Sequence, residues 1–352
     1  MGRPPWGDAE WSGLRPVRSN CRTIDGSRNM SGFGRDTTTD EVLDGMDLSG
    51  RRFVITGAAS GLGRESARSL AAHGASVTLL ARSTERAEGA VTELGAMLRG
   101  AVLEPGVADL GDLDSIRAFA ESYLADHDAL DVLMNNAGVM ACPFGHTTDG
   151  FETQFGTNHL GHFLLTALLY PALRAGDRPR VVTLTSGGHS RADVDLEDPN
   201  FDHTEYAPWV AYGQAKTSNA LFARELARRA GPSGLLSFAV HPGGIITDLG
   251  RHLTDDLIND MADFARRRSA AISGEARDMH FKTVEAGAAT QVWAATTSEL
   301  ADHNGAYLAD CGLGVLGADP GVNGFLPYLL DDDHAAALWD LSERLVGQRF
   351  DP

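Results

Sequence analysis

The sequence predicts a doubly wound α/β fold, a single parallel sheet of about seven strands with helices on both faces. Three observations predict it. From Arg52 onward, short apolar runs alternate with longer helical patterns, the rhythm of repeated βα units. The runs are continuous in their apolarity rather than alternating, as befits strands covered on both faces. The first run passes straight into a glycine-rich turn and then into a helical pattern, the arrangement that opens many ligand-binding α/β sheets.

The strand candidates, in order, are Phe53–Ile55, Val77–Leu80, Ala101–Glu104, Val132–Asn135, Val181–Leu184, Leu235–Val240 and Gly305–Leu308. Helical patterns lie between them near 62–73, 84–98, 112–126, 151–174, 209–230 and 283–296. Between Val240 and about residue 280 the pattern is less regular. Leu249, Leu253, Leu257, Ile258, Met261 and Phe264 alternate with charges there and are compatible with an amphipathic helix. A last helix is expected over His334–Val346, with Ala336, Leu338, Trp339, Leu341 and Leu345 on its apolar face. Residues 1–45 are rich in Gly, Arg, Asp, Thr and Ser and have no period. They predict a disordered or loosely packed extension, leaving 46–352 as one domain.

Composition bounds the function. The 352 residues carry a formal net charge of −18, with 43 % apolar and 22 % charged residues. Such a charge disfavours nucleic acid or an anionic membrane as partner. Cys21, Cys142 and Cys311 are far apart and odd in number, so they suggest neither a disulfide framework nor a metal site, and a reducing cytoplasm fits. No apolar run reaches the eighteen or so residues of a membrane span. Nor does the N-terminus carry a signal-like hydrophobic segment. The basic residues are nearly all Arg; Lys216 and Lys282 are the two lysines.

The glycine-rich turn reads Thr56-Gly57-Ala58-Ala59-Ser60-Gly61-Leu62-Gly63. Its spacing is G-x-x-x-G-x-G rather than the usual G-x-G-x-x-G dinucleotide fingerprint. Glycines there permit a tight turn and close approach of backbone to a pyrophosphate, beside the free N–H groups of a helix start. A structural tight turn is the bland alternative. The fingerprint expects a carboxylate about 20 residues on, for a ribose hydroxyl. The second strand ends instead in Leu80-Ala81-Arg82. Arg82 would meet a 2′-phosphate, favouring NADP, although NAD is not excluded and a solvated loop arginine is common.

This turn, together with Asn135-Asn136-Ala137-Gly138, Ser186 and Tyr212-Gly213-Gln214-Ala215-Lys216, resembles the short-chain dehydrogenase/reductase family, whose fold is Rossmann-type. Phe155-Gly156-Thr157-Asn158-His159-Leu160-Gly161-His162-Phe163, and His241-Pro242-Gly243 followed by Thr247, are similar to its retinol dehydrogenase and WW-domain oxidoreductase branch, bacterial relatives included. The resemblance covers roughly residues 35–348. It implies an oxidoreductase moving a hydride between nicotinamide and the carbonyl or alcohol of a hydrophobic small molecule. It implies a catalytic tetrad of Asn158, Ser186, Tyr212 and Lys216. It also implies that Gly57, Ser60, Gly61, Leu62 and Gly63 form the pyrophosphate turn and that Asp109 and Leu110 lie by the adenine. Asn135, Ala137 and Gly138 would lie behind the cofactor, with Pro242, Gly243 and Thr247 beside its carboxamide or phosphate. Substrate-side insertions fall near 187–208 and 245–280. Homodimers or homotetramers paired through the helices near 151–174 and 209–230 are common in the family. Three departures stand out. Ser60 occupies a position that is basic in many NADP-using relatives, so Arg82 and Arg64 would supply the charge. Thr185-Ser186 replaces a Ser-Ser pair. Residues 1–29 have no counterpart and are expected to be an over-extended start or a disordered leader.

Tyr212 and Lys216, four apart, share one helix face. A phenol of pKa near 10 is a poor proton shuttle at pH 7, and a neighbouring ammonium should favour its phenolate. Ser186 would donate to a substrate oxygen, and Asn158 would complete a proton path through Lys216. Y-x-x-x-K alone is a common chance pattern; its value here comes from the surrounding motifs. Asp193, Asp195, Glu197, Asp198 and Asp202 suggest a solvated acidic loop rather than a metal site. His159, His162 and Cys142 read most simply as packing residues. A non-catalytic dinucleotide sensor, or an enone reductase or epimerase on the same fold, are the competing functions.

Overall fold

The computed structural model describes residues 31–352. In chain order the first half contains α1 (Thr39–Leu43), β1 (Arg52–Thr56), α2 (Gly61–Ala72), β2 (Ser76–Ala81), α3 (Thr84–Met97), β3 (Val102–Val107), α4 (Leu113–Asp126) and β4 (Val132–Asn135). Then come α5 (Thr153–Phe155), a π turn (Gly156–Leu160), α6 (Gly161–Ala175), β5 (Arg180–Leu184), α7 (Pro208–Ala230), β6 (Leu236–His241) and β7 (Gly244–Ile245). The chain ends with α8 (Asp255–Ser273), β8 (Phe281–Lys282), α9 (Val284–Thr296), β9 (Tyr307–Ala309), β10 (Gly312–Leu313), β11 (Val315–Leu316), β12 (Gly324–Phe325) and α10 (Asp332–Val346).

The main sheet runs β10–β9–β6–β5–β4–β1–β2–β3. The seven expected strands are its parallel members, and β10 adds an antiparallel edge. Successive side chains of β1 serve opposite layers, as strand geometry requires. Val54 joins Phe163 of α6, Phe222 of α7 and Trp339 of α10 in one apolar layer. Phe53 and Ile55 join Leu70 of α2, Leu94 of α3 and Trp293 of α9 in the other. Each large side chain so buried contributes about 1.5–3 kcal/mol.

The structure corrects the sequence reading in two places. Residues 31–45 are not loosely packed. Thr38 and Glu41 form a reciprocal capping box on α1, and Val42 and Leu43 are buried in the α2–α9 layer. The remainder of the expected disordered stretch, including the expected leader 1–29 and Cys21, lies outside the described residues. The helix expected over 151–174 is interrupted by the π turn at 156–160. In the irregular stretch after Val240, the amphipathic helix that its apolar pattern allows is present as the 19-residue α8, capped by Thr254. No helix among the described residues is long and apolar enough to cross a membrane.

Candidate active site

From β1 the sheet extends to β2 and β3 on one side and to β4, β5 and β6 on the other. That reversal opens a crevice at the carboxyl ends of the strands, where open α/β sheets take ligands. A cleft of about 1380 Å³ lies there.

Its first wall is the glycine turn. Gly57 and Gly61 have left-handed backbones, with φ of +67° and +53°, which glycine adopts without strain. A Cβ on Gly57 would stand 3.0 Å from the Cα of Ala137, and one on Gly63 only 2.6 Å from the carbonyl of Gly57. Gly63 therefore lies behind the turn and lets α2 close against it. The side chain of Ser60 makes no bond to the first turn of α2, and no acidic residue occupies that turn. Its N–H groups and positive dipole end are left to an anion. Thr56 locks the turn to the end of β4. Its Oγ1 accepts from the backbone N–H groups of Asn136 and Ala137, both at 2.9 Å, and Asn136 Nδ2 donates to its carbonyl at 2.7 Å.

Most of the expected site residues meet in this cleft. Gly57, Ser60, Gly61, Leu62, Arg82, Asp109, Leu110, Ala137, Gly138, Ser186, Tyr212, Lys216, Pro242, Gly243 and Thr247 all line it. Gly63, Asn135 and Asn158 do not. Asn135 is buried one layer below, its Nδ2 donating to Thr166 Oγ1 at 3.1 Å. Asn136 takes the place in the wall. Arg64, expected to supply charge, instead pairs with Glu93 at 2.6 Å. Arg86, in the first turn of α3, lines the cleft in its stead. Neither Arg82 nor Arg86 has an ion-pair partner among the described residues.

Ser186 follows β5, and its Oγ accepts from the N–H of Gly188 at 3.0 Å. Tyr212 and Lys216 project from α7 and are each 4 % exposed. Burial pushes the Tyr212 phenol up to about 12, opposed by a bond from Ser186. Burial lowers Lys216 to about 8. The ammonium lies 5.8 Å from the phenol ring centroid and donates to the Leu184 carbonyl at 3.0 Å. In this state desolvation, not a neighbouring ammonium, governs the phenol. Asn158 sits in the π turn, a distortion frequent at functional sites. Its Oδ1 accepts from Val139 N–H at 2.8 Å and its Nδ2 donates to Val139 O at 2.9 Å. It thereby fixes the strand exit that carries Gly138. A Cβ on Gly138 would stand 3.7 Å from Lys216 Nζ.

His159 and His162 are buried and bonded within the fold. His162 Nδ1 donates to Asn158 O at 2.8 Å, so its Nε2 accepts from Thr56 Oγ1 at 2.9 Å. His159 bonds Ser342 at 2.8 Å. Cys142 is buried with its thiol pushed up by burial, and it does not line the cleft. In the acidic stretch, Asp198 accepts from the N–H groups of Asp202, His203 and Thr204, ordering its own turn.

The far half of the cleft is apolar, with Met140, Trp209, Leu253, Met261 and Phe264 in its wall. Arg191 reaches across it, 3.7 Å from the Phe264 ring centroid and paired with Asp260 at 2.9 Å. Of the 187–208 insertion, Gly187, Gly188 and Arg191 reach the cleft and residues 192–208 do not. Beneath the Pro242–Gly243 elbow lies Lys282, bound to Asp310 at 2.6 Å. A Cβ on Gly243 would stand 2.8 Å from its Cε. Sequence reasoning assigned Lys282 no role, and its single signal was rarity.

The family model for short chain dehydrogenases matches residues 51–258. A short-chain dehydrogenase/reductase, prx1, of Penicillium roqueforti is 36 % identical over 91 % of this chain and 92 % of its own. Retinol dehydrogenase 14 of Homo sapiens is 38 % identical over 85 % and 87 %. A crystal structure of an uncharacterised protein from Mycobacterium paratuberculosis superposes with a TM-score of 0.67 at 36 % identity, covering 88 % of this chain and 98 % of that one.

Proposed function

The chain belongs to the short-chain dehydrogenase family, in its retinol dehydrogenase-like branch, and from that membership we propose an NADP-preferring oxidoreductase acting on the carbonyl or alcohol of a hydrophobic small molecule, with Tyr212 as proton donor and acceptor. The observation that carries this reading is the convergence of Ser186, Tyr212 and Lys216 where the glycine-walled half of the cleft meets its apolar half. The uncapped start of α2 and the cradle left by Gly57 and Gly61 fit a dinucleotide pyrophosphate. Arg82, just after β2, and Arg86, in the first turn of α3, line the cleft without an ion-pair partner among the described residues and support a 2′-phosphate.

When bound, the nicotinamide supplies or receives the hydride. The chain's own part is proton and oxygen chemistry. At neutral pH Tyr212, pushed up to about 12, holds its proton and would give it to a carbonyl oxygen as that oxygen gains charge. Ser186 Oγ would bond the same oxygen. Lys216, lowered to about 8 by burial, lies on the same face of α7 and would replenish the phenol. The wall of Met140, Trp209 and Phe264 excludes water from the exchange.

Tyr212→Phe tests this. Consumption of NADPH over a panel of hydrophobic aldehydes and ketones should fall by roughly 10²–10⁴-fold, with dinucleotide affinity within about twofold of the parent. Unchanged turnover would reject the assignment.

A further inference from the structure

We infer that the segment before the first strand is a third wall of the cofactor cleft and that Arg35 is its pyrophosphate-binding residue; this rests on the dinucleotide reading above. Arg35 lines the same cleft as Ser60, Gly61 and Thr247. Its Nη2 donates to the carbonyl of His280 at 3.0 Å. His280 precedes Phe281, which pairs in register with Gly244, the residue after the Pro242–Gly243 elbow. The guanidinium is therefore held on the elbow side of the cleft. It has no carboxylate partner among the described residues, so its other N–H groups are available to an anion.

The segment that carries Arg35 is fixed on both flanks. Upstream, Ser31 Oγ donates to the carbonyl of Cys311 at 2.8 Å. Downstream, the Gly34 N–H donates to Thr37 Oγ1 at 2.9 Å, and Arg68 of α2 binds Asp40 and Glu65, each at 2.7 Å. Only three residues separate Arg35 from α1, which is docked on α2 and α9.

The charge balance of the cleft calls for such a residue. A pyrophosphate over the start of α2 meets N–H donors but no side-chain cation from the turn itself. The turn offers Ser60, and Arg64 is turned away to Glu93. Arg277, also in the lining, leans toward Glu275 at 3.5 Å. Arg35 supplies a forked cation with no such competitor, and a fork matches phosphate oxygens.

The test is titration of NADPH and NADH against the full chain, read by binding fluorescence, for the parent and for Arg35→Ala, Arg35→Lys and Arg82→Ala. Both dinucleotides share the pyrophosphate, and only NADPH has the 2′-phosphate. Arg35→Ala should weaken both about tenfold and flatten the salt dependence of binding. Arg35→Lys should recover part of the loss, and Arg82→Ala should weaken NADPH alone. Hydrogen exchange over residues 31–38 should slow on NADPH binding in the parent and not in Arg35→Ala. The unfolding midpoint of each unliganded variant separates a lost contact from a damaged fold, and Arg35→Lys is decisive if the alanine variant does not fold. Affinities within twofold of the parent for both dinucleotides would overturn the inference, as would a loss confined to NADPH. A parent that binds neither dinucleotide would instead remove the reading beneath it.

Discussion

Gly188 packs against the Tyr212 ring. A Cβ there would stand 2.8 Å from Cε1 of Tyr212 and 3.3 Å from Ser186 Oγ, so any side chain must displace the ring or the hydroxyl. Gly188→Ala is expected to lower turnover by about a hundredfold, the scale of a small misplacement of a reacting group, while dinucleotide affinity holds. Retained turnover would mean that the ring has room to move. Nothing in the sequence singled out Gly188 beyond its position two residues after Ser186. That Tyr212, Lys216 and Ser186 line one cleft was legible from the company of motifs around them, since four residues on a helix face and a hydroxyl after a strand are common patterns alone. The direction of the phenol's shift was not legible. An ammonium four residues away argues for a lowered pKa, and full burial overrides it. Asn135 and Asn136 were similarly ambiguous. β4 ends at Asn135, and which of two adjacent amides faces the cleft depends on where the pleat stops.

At the next scale, α10 is the clamp on the layer that carries the site. Trp339 stacks on Phe222 of α7 at 5.8 Å between centroids and meets Phe163 of α6 edge-on at 5.0 Å. Phe350, beyond the helix, stacks on Trp339 at 4.8 Å. Trp339→Ala should cost about 3–5 kcal/mol of unfolding free energy, as for other buried aromatics, measured by urea denaturation. A loss below about 1 kcal/mol would mean that α10 is not part of the core. The helix was readable from its apolar period; its docking partner was not, because a stripe states which face is buried and not against what. The consequence bears on assembly. Of the two helices expected to pair copies, α6 and α7, one side is already covered by the chain's own Trp339 and Phe350. Two other elements escaped the sequence. A five-residue helix such as α1 is too short to display a period, and a π turn leaves the apolar pattern of its helix nearly unchanged.

Over the whole molecule, four buried histidines set the response to acid. Burial holds His159 near about 3, His162 and His189 near about 4, and His241 well below its ordinary value. In the unfolded chain each would titrate near 6.5. Between pH 6.5 and about 4 the unfolded chain therefore takes up protons that the folded one refuses, and stability falls as pH falls. Each histidine adds up to about 1.4 kcal/mol per pH unit to that slope. Urea midpoints should drop clearly from pH 7 to pH 5; a flat profile would contradict four neutral buried imidazoles. The seven parallel strands were legible because two-sided burial makes them continuous apolar runs, whereas their spatial order and the crevice it creates are tertiary facts that no local run encodes. The chain's two lysines have a practical corollary. Both are buried in the floor of the cleft region, one behind the phenol and one beneath the Gly243 elbow. An acylating reagent therefore meets no ε-amine on the outer surface, and labelling of either would report the opening of that floor rather than casual decoration of the exterior.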